Sequence, residues 1–179
     1  MSTFTRAQAL GAAAALGLAA PLLTNCTLAA GGIDAGDVTS LGSELALERA
    51  AVKAYTDAAA TGIVSASVLA VLNGFLADHT AHRDALIAVF TNAGRQAPED
   101  VAPLDTPAMH AEIDVLGFAY TVERMLADGH LTPVATYKNR DYAKTAASIL
   151  GVETTHVALL AEALRRNPAY PTSFVAATP

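Results

Sequence analysis

A glutamate and a histidine, three residues apart inside an apolar helical stripe, constrain the fold of this chain more than any other feature. The stripe advances in steps of three and four residues, which place its members on one helix face: Ala146, Ile149, Glu153, His156, Leu160 and Ala163. A carboxylate and an imidazole on a face that packs into a core are costly to bury without partners. The stripe therefore predicts a helical core whose polar groups satisfy one another or hold a ligand.

The composition favours one helical domain. The 179 residues suffice for a single domain with a substantial core, and 53% of them are hydrophobic. Tryptophan is absent, aromatic residues make up only 6% and alanine is abundant, which favours helices over a β-sandwich. The net charge of −6 and the lack of a long basic run predict no nucleic-acid partner.

Residues 1–29 have the layout of an export signal. Arg6 is the only charged side chain before Asp34, and residues 7–23 are apolar with one exception. A short basic region, an apolar run and a small-residue cleavage site, here at residues 27–29, are typical of a secretory signal peptide. We expect a protein exported to the periplasm or another extracytoplasmic compartment, with membrane contact only through this segment.

Alternatives to a cleaved signal remain open at this stage. Cys26 lies in an approximate lipoprotein acylation site, although Asn25 stands where a small residue is expected. An uncleaved segment would stay as a membrane anchor, because it nearly reaches spanning length. A twin-arginine export signal would need a second arginine beside Arg6. The last alternative is that residues 1–29 form an N-terminal helix of the domain itself. Cys26 is the sole cysteine, so no disulfide can form within the chain.

The rest of the chain predicts four helices. After a linker at residues 30–36 and before a tail at 168–179, we expect helices at about residues 38–60, 64–93, 107–128 and 140–166. Asp37 is the expected N-cap of the first helix, and Thr106 that of the third, with Pro107 at its first helical position.

The connections between these helices predict their topology. The short link at Gly62 implies an antiparallel hairpin. Residues 94–105 lack periodicity and contain two prolines, and at about 3.3 Å per extended residue they can cross roughly 40 Å. The predicted fold is an all-α four-helix bundle, spanning residues 37–167, in which a long crossover joins two antiparallel hairpins.

Polar residues interrupt the apolar stripe of each predicted helix. Glu48 lies on the first helix, and His79 and His82 on the second have the same spacing as the Glu153/His156 pair on the fourth. Carboxylates and imidazoles that face one core from four helices are the arrangement that a dinuclear metal site requires.

The third helix offers two candidate carboxylates, Glu112 and Glu123. Both fall on the inward face. Measured from a hairpin turn centred near residue 134, Glu112 is level with Glu153, whereas Glu123 lies nearer the turn. We therefore favour Glu112 as the ligand of this helix and keep Glu123 as the alternative.

The sequence resembles the bacterial ferritin-like domain proteins, of the rubrerythrin-related branch that includes desiccation-related proteins. The resembling segments lie within residues 37–166 and are Leu45-Ala46-Leu47-Glu48 through Tyr55, Ala77-Asp78-His79-Thr80-Ala81-His82-Arg83, Gly117-Phe118-Ala119-Tyr120 and Ile149-Leu150-Gly151-Val152-Glu153-Thr154-Thr155-His156. The resemblance implies a four-helix bundle with a di-iron or di-manganese site, and the ligand pattern of the family falls on Glu48, His82, Glu153 and His156.

His79 departs from the pattern of the family. An imidazole cannot bridge two metals as a carboxylate does, and it removes one negative charge from the site. We therefore expect one tightly held ion and a second, weaker one, with occupancy falling as the pH drops toward the ordinary histidine pKa near 6.5.

Two classes of function follow from these residues. The first is a redox enzyme with one or two Fe or Mn ions per chain, which carboxylate and imidazole ligands suit, acting on metal ions, O2 or peroxide. The second is a non-enzymatic exported helical scaffold for stress protection, with one metal or none. Both leave a homo-oligomer open. We also expect Tyr55 to pack in the core, and His110, His130, Asp78 and Asp84 to lie at the surface.

Overall fold

The computed structural model describes residues 32–166, which fold into four helices without a strand. The helices are α1 (Ala35–Ala60), α2 (Ala66–Asn92), α3 (Glu112–Val134) and α4 (Arg140–Ala163). The predicted all-α bundle is confirmed. No helix within this part of the chain is long and apolar enough to cross a membrane.

Several predictions made from the sequence fall outside the described residues. They are the signal peptide at 1–29 with Cys26, the first residues of the linker and the tail at 168–179.

Side-chain caps fix where three of the helices begin. Asp34 accepts a hydrogen bond from the backbone N–H of Gly36, Ser65 from that of Val68 and Asn139 from that of Asp141. The expected cap Asp37 instead lies inside α1, where it is buried. Its carboxylate accepts hydrogen bonds from the backbone N–H groups of Lys138 (2.9 Å) and Asn139 (3.0 Å), which fastens the start of α1 to the α3–α4 connection.

The crossover at residues 93–111 runs the length of the bundle. The backbone N–H of Ser65, at the start of α2, donates to the carboxylate of Glu112 at the start of α3 (2.7 Å), so both helices begin at the same end. Midway along the crossover, the N–H of Ala102 donates to the carbonyl of Ala46 on α1 (3.0 Å). The pairs α1–α2 and α3–α4 are therefore antiparallel hairpins, and the chain returns between them as predicted.

Helix α3 begins and ends later than the sequence suggested. It starts at Glu112 rather than at Pro107. The Asp114 carboxylate caps this start by accepting hydrogen bonds from the backbone N–H groups of His110 and Ala111 (2.9 Å each). It then continues through Gly129 to Val134. A Cβ on Gly129 would lie 2.3 Å from a methyl carbon of Leu47, so this glycine permits close packing against α1. Pro133 falls in the last turn, where its missing N–H removes only one helical hydrogen bond.

Two apolar clusters fill the bundle, with a polar layer between them. The cluster toward the crossover end of α3 contains Tyr55, Phe75, Leu116, Leu126 and Leu160, among others. The cluster toward the α3–α4 connection contains Leu41, Leu45, Leu86, Tyr142 and Ile149. Helices α1, α2 and α4 pass from one cluster to the other, and their acidic and histidine side chains lie where they do so. The site is therefore enclosed by apolar packing at both ends.

Candidate metal centre

Buried carboxylates and imidazoles from all four helices meet in the polar layer. Glu48 of α1, Glu123 of α3, Glu153 of α4 and His79 of α2 are 0% exposed. His156 of α4 is 3% exposed, and the side chain of His82 on α2 is 14% exposed. Charged groups at such depth persist only when they are paired or hold a metal ion.

Two overlapping sets of four residues have the spacing of metal ligands. One consists of Glu48, His79, His82 and Glu153, and the other of His79, Glu123, Glu153 and His156. Within each set, one ligand atom per residue lies within 4.8 Å of all the others. The sets share Glu153 and His79, so the geometry is that of two adjacent positions with common side chains between them.

His79 lies at the centre of the polar layer. Its Nδ1 is 3.0 Å from Glu48 Oε2, and its Nε2 is 3.1 Å from Glu123 Oε1. Carboxylates only accept hydrogen bonds, so both contacts together require both ring nitrogens to carry hydrogen. Burial by itself would lower the pKa of His79, but the charges of Glu123 and Glu153 outweigh it, and the pKa lies well above its usual value.

The other two histidines of the centre also lie against carboxylates. His82 Nδ1 is 3.0 Å from Glu153 Oε1, and His156 Nδ1 is 3.2 Å from Glu123 Oε2. Burial opposes the charged ring in both cases. Contacts with Glu153 and Glu48 nevertheless raise the pKa of His82 to about 9, and Glu123 with other carboxylates raises that of His156 to about 11.

The three carboxylates differ in their surroundings. Burial alone would raise the pKa of each, but hydrogen bonds from histidines hold the pKa of Glu48 well below its usual value, and the charges of His79 and His156 do the same for Glu123. The pKa of Glu153 is raised, because burial and the nearby Glu123 charge dominate there. Neither carboxylate oxygen of Glu153 has a hydrogen-bond partner of suitable geometry within residues 32–166.

Groups around the centre orient its ligands. The Tyr55 hydroxyl donates a hydrogen bond to Glu123, so Tyr55 has a polar partner in addition to the core packing that was predicted. Burial and the Glu123 charge raise the pKa of Tyr55 well above its usual value, which keeps the phenol neutral. Phe75 stacks on the ring of His156 with centroids 3.8 Å apart.

Asp78 lies closer to the centre than the sequence suggested. We expected a solvated side chain, but Asp78 Oδ2 is 3.2 Å from His156 Nε2, and the side chain is only 34% exposed. It therefore approaches the nitrogen of His156 that faces away from Glu123, which is how a carboxylate fixes the ring of a metal-binding histidine.

The preference for Glu112 on α3 requires correction. The structure places Glu123, not Glu112, level with Glu153, and Glu112 lies at the helix start against the backbone of Ser65. The error came from placing the end of α3 before Gly129, which moved the turn toward Glu123. With α3 extended to Val134, the turn occupies residues 135–139, and Glu123 and Glu153 lie at similar distances from it.

His130 was also misplaced. The predicted end of the helix near residue 128 put it at the surface, but it is 0% exposed, and its Nε2 is 2.8 Å from Glu48 Oε1. A signal was present in the sequence, since His130 follows Glu123 by two helical turns on the same face. Of the remaining predicted residues, Glu48, His79, His82, Glu153 and His156 come together in the core, and His110 is exposed.

Comparisons with known proteins agree with this architecture. The model of the ferritin-like domain family matches residues 36–166, so this chain belongs to that family. No curated protein sequence matches the chain.

Two solved structures are similar in fold. A conserved hypothetical protein, rv2844, from Mycobacterium tuberculosis has a TM-score of 0.66 at 22% identity, over 80% of this chain and 97% of that one. A protein from Bacillus anthracis str. Ames, described as ferritin like and diiron-carboxylate, has a TM-score of 0.61 at 16% identity, over 72% of this chain and 94% of that one. At these identities the likeness shows the fold alone.

The residues of the centre fit metal ions, with one restriction. Carboxylate oxygens and imidazole nitrogens suit divalent iron, manganese and zinc. The unpartnered oxygens of Glu153, between the two sets of ligands, fit a carboxylate that serves both positions. The restriction is His79, because a neutral imidazole has one lone pair and can therefore bind an ion in only one of the two sets.

Proposed function

We propose that this protein binds two divalent ions, iron or manganese, in the core of its bundle and uses them as a redox centre in an extracytoplasmic compartment. The two ligand sets that share Glu153 carry this proposal. Membership of the ferritin-like domain family and the fold likeness to a diiron-carboxylate protein support it.

The geometry divides the ligands between two positions. Glu48, His82 and Glu153 would hold one ion, and Glu123, His156 and Glu153 the other. His79 adds its one available nitrogen to a single position, so the two ions are held with unequal strength. We expect the ion that lacks His79 to dissociate first.

When bound, such ions would supply electrons to O2 or peroxide, and once oxidised they would take electrons back from further metal ions. The protein contributes a dry, shaped surround. Tyr55 holds one oxygen of Glu123 by hydrogen bonding, and Phe75 covers the ring of His156. The side chain of His82 is 14% exposed, which supports the proposal that small oxidants would approach the centre from this side.

Metal analysis tests the proposal directly. The full chain is purified without chelators, and metals are counted per chain by mass spectrometry. The count should reach two after loading with Fe2+ or Mn2+ without oxygen, and Glu153→Gln should lower it. Glu162→Gln, an exposed change on the same helix, should not. The rates of peroxide loss and of iron oxidation are then compared between the iron-loaded protein and the same amount of free iron. If the rates are equal, the proposed redox function is wrong.

A second candidate function is a metal-independent structural bundle. It is favoured by the two hydrogen bonds of His79, which join Glu48 and Glu123 without any ion. Three carboxylates and three protonated histidines then balance in charge. If neither Fe, Mn nor Zn binds, and chelation does not change the thermal unfolding temperature, this second function is the correct one.

Export belongs to the proposal as well. The uncharged apolar run at residues 7–23 after Arg6 supports it. Mass spectrometry of the native protein should find a chain that begins near Ala30. An intact Met1 on soluble protein would contradict export by a cleaved signal, and an acylated Cys26 would indicate a lipoprotein.

A further inference from the structure

We propose that His130 is a positioning residue of the dinuclear centre, which fixes the orientation of the Glu48 carboxylate without binding an ion itself. Glu44 holds His130 in turn on the side away from the centre. The inference rests on the proposed function, because the orientation of Glu48 matters to a metal ion only if Glu48 binds one.

His130 reaches the centre through Glu48 rather than by facing an ion. The ring is 0% exposed, and its Nε2 lies 2.8 Å from Glu48 Oε1. His130 nevertheless belongs to neither of the two sets of residues whose ligand atoms all lie within 4.8 Å of one another. Its contact with the centre is therefore a hydrogen bond to a ligand, donated by the N–H of Nε2 to a carboxylate that can only accept.

The other imidazoles that contact Glu48 are themselves expected ligands. His79 Nδ1 is 3.0 Å from Glu48 Oε2, and His82 Nδ1 is 3.4 Å from Oε1. A ring nitrogen that gives its lone pair to a metal ion carries no hydrogen and cannot donate to a carboxylate. Of these three imidazoles, His130 is the one whose hydrogen bond to Glu48 can persist when both ions are bound.

The hydrogen bond from His130 leaves Glu48 free to bind metal. A carboxylate has two oxygens with about four lone-pair sites in total, and His130 occupies one of them. The bond therefore fixes the plane of the carboxylate and still leaves lone pairs for an ion. A fixed ligand binds metal more tightly than one that must first be oriented, and such contacts are typically worth about 10- to 100-fold in affinity.

Glu44 fixes His130 from behind. Glu44 is 1% exposed, and its Oε1 lies 3.7 Å from His130 Nδ1. Burial alone would lower the pKa of His130, but the contacts with Glu44 and Glu48 raise it to about 10. The donation to Glu48 does not depend on the charge of the ring, because it needs only the hydrogen on Nε2.

The fold gives this arrangement its rigidity. Glu44 and Glu48 are one helical turn apart on α1, so both point to the same side of that helix, where His130 of α3 lies. With one ring nitrogen toward each carboxylate, His130 cannot turn without losing both contacts. Burial and the charge of Glu44 raise the pKa of Tyr137, so this phenol stays neutral and can donate to Glu44.

Mn2+ titration of two variants at position 130 tests the inference. The full chain is stripped of metal, and free Mn2+ is followed by electron paramagnetic resonance. His130→Leu removes the donor and should weaken one of the two ions about 10- to 100-fold. His130→Gln places an amide N–H near the position of Nε2 and should recover most of this affinity. His110→Leu is the matched control, because His110 is exposed, and it should behave as wild type.

Nuclear magnetic resonance of the 15N-labelled histidine rings distinguishes a positioning residue from a ligand. Zn2+ serves as the probe because it is diamagnetic. The hydrogen on Nε2 of His130 should remain when Zn2+ is added, whereas the hydrogens on Nδ1 of His82 and His156 should disappear. Loss of the His130 hydrogen would show that this ring binds the ion itself, and the inference would then be wrong.

Glu44→Gln keeps the inference testable if His130→Leu does not fold. It loosens His130 from behind and should weaken the same ion by a smaller factor. Unchanged affinities in the variants that fold by circular dichroism would overturn the inference and leave the metal centre intact, and so would a failure of His130→Gln to bind more tightly than His130→Leu. If wild-type protein binds neither Mn2+ nor Zn2+, the proposed function itself has failed, and this inference fails with it.

Discussion

His79 and Glu123 are joined in the fully buried core, where Nε2 of the imidazole lies 3.1 Å from Oε1 of the carboxylate. The centre has three carboxylates, those of Glu48, Glu123 and Glu153. The imidazole of His79 occupies the position at which a fourth carboxylate would give each ion an equivalent set of ligands. In the metal-free protein, its proton provides positive charge that a metal would otherwise supply. Metal binding must therefore displace this proton and break the contact of the ring with Glu123, with Glu48 or with both.

The first prediction concerns His79→Glu. The new carboxylate can contact both ions, so the weaker ion should bind more tightly, and the metal count at limiting Mn2+ should rise toward the two ions that wild type binds only at saturation. Without metal, the same change adds a buried negative charge and should lower the unfolding temperature. Metal analysis and thermal unfolding with and without Mn2+ measure both effects. Two tightly bound ions in the native protein, unchanged by His79→Glu, would show that His79 does not limit binding.

The second prediction separates the two glutamates of α3. Glu123→Gln should remove at least one bound ion, because Glu123 belongs to a ligand set and Glu112 does not. Glu112→Gln should keep the metal count and lower the free energy of unfolding by about 1 kcal/mol, through its weakened hydrogen bond to the Ser65 N–H. Metal analysis and urea unfolding of both variants provide the measurements. Metal loss in Glu112→Gln alone would contradict the register of α3 in the structure.

How far the sequence predicts this site is clear from α3. Spacing within one helix identified Glu153 with His156 and His79 with His82, because an interval of three residues fixes a shared face whatever the helix ends are. The height of Glu123 relative to Glu153 depended instead on where α3 ends. Gly129 and Pro133 are residues that often end a helix, so the sequence predicted that α3 ends before Gly129. The helix continues through Gly129, which packs closely against Leu47, and this tertiary contact is one that no local pattern shows.

The same limit explains why the surroundings of the centre were missed. Glu44 precedes Glu48 by one helical turn, but its neighbour His130 and the neighbour His156 of Asp78 come from other helices, which spacing does not show. His130 lay on the inward face in the sequence, but an incorrect helix end hid it. Helix faces and the heights of Glu48, His79 and His82 across the first hairpin were thus predictable, whereas the heights of Glu123 and His130 on α3 were not.

The third prediction concerns pH. In the metal-free protein, the pKa values of His82 and His156 are about 9 and about 11, above the ordinary value of 6.5. Both rings are therefore protonated at pH 7 and must lose a proton to bind metal. Each ion displaces the proton of one of these rings, so its affinity for Mn2+ should rise between pH 6.5 and 8.5 by about one power of ten per pH unit, and more steeply for the ion that also binds His79. The raised pKa values predict that metal is lost at a higher pH than the value near 6.5 that the sequence led us to expect.

The same raised pKa values predict the opposite trend for the stability of the metal-free protein. Raised histidine pKa values stabilise the fold fully below about pH 6.5, and this contribution is lost as the pH rises through about 9 and 11. The free energy of unfolding of the metal-free protein should therefore be lower at pH 10 than at pH 7. Urea unfolding with a chelator and Mn2+ titrations at several pH values test both trends. An affinity that does not change with pH would show that the histidines are not ligands.

The fourth prediction compares two aspartates of α2. Asp78→Asn should weaken the ion held by His156 about tenfold, because the carboxylate at 3.2 Å from Nε2 fixes the orientation of this ring. Asp84→Asn is the matched control, since this side chain is 60% exposed and pairs with Arg83. Mn2+ titration of both variants gives the comparison. Equal affinities would mean that His156 is held by other contacts, such as its stacking on Phe75.

The fifth prediction uses Tyr55→Phe, which removes one hydroxyl and leaves the ring in the core. In metal-free protein, Glu123 loses a hydrogen-bond donor while it stays buried, so the free energy of unfolding should fall by about 1–3 kcal/mol. In the metal-loaded protein, an ion bound to Glu123 replaces much of the lost interaction, and the fall should be smaller. Urea unfolding of wild type and Tyr55→Phe, each with a chelator and with saturating Mn2+, gives the four values required. If Tyr55→Phe lowers the free energy of unfolding equally with and without metal, Glu123 does not bind the ion. Its carboxylate would then depend on the Tyr55 hydroxyl to the same extent in both states.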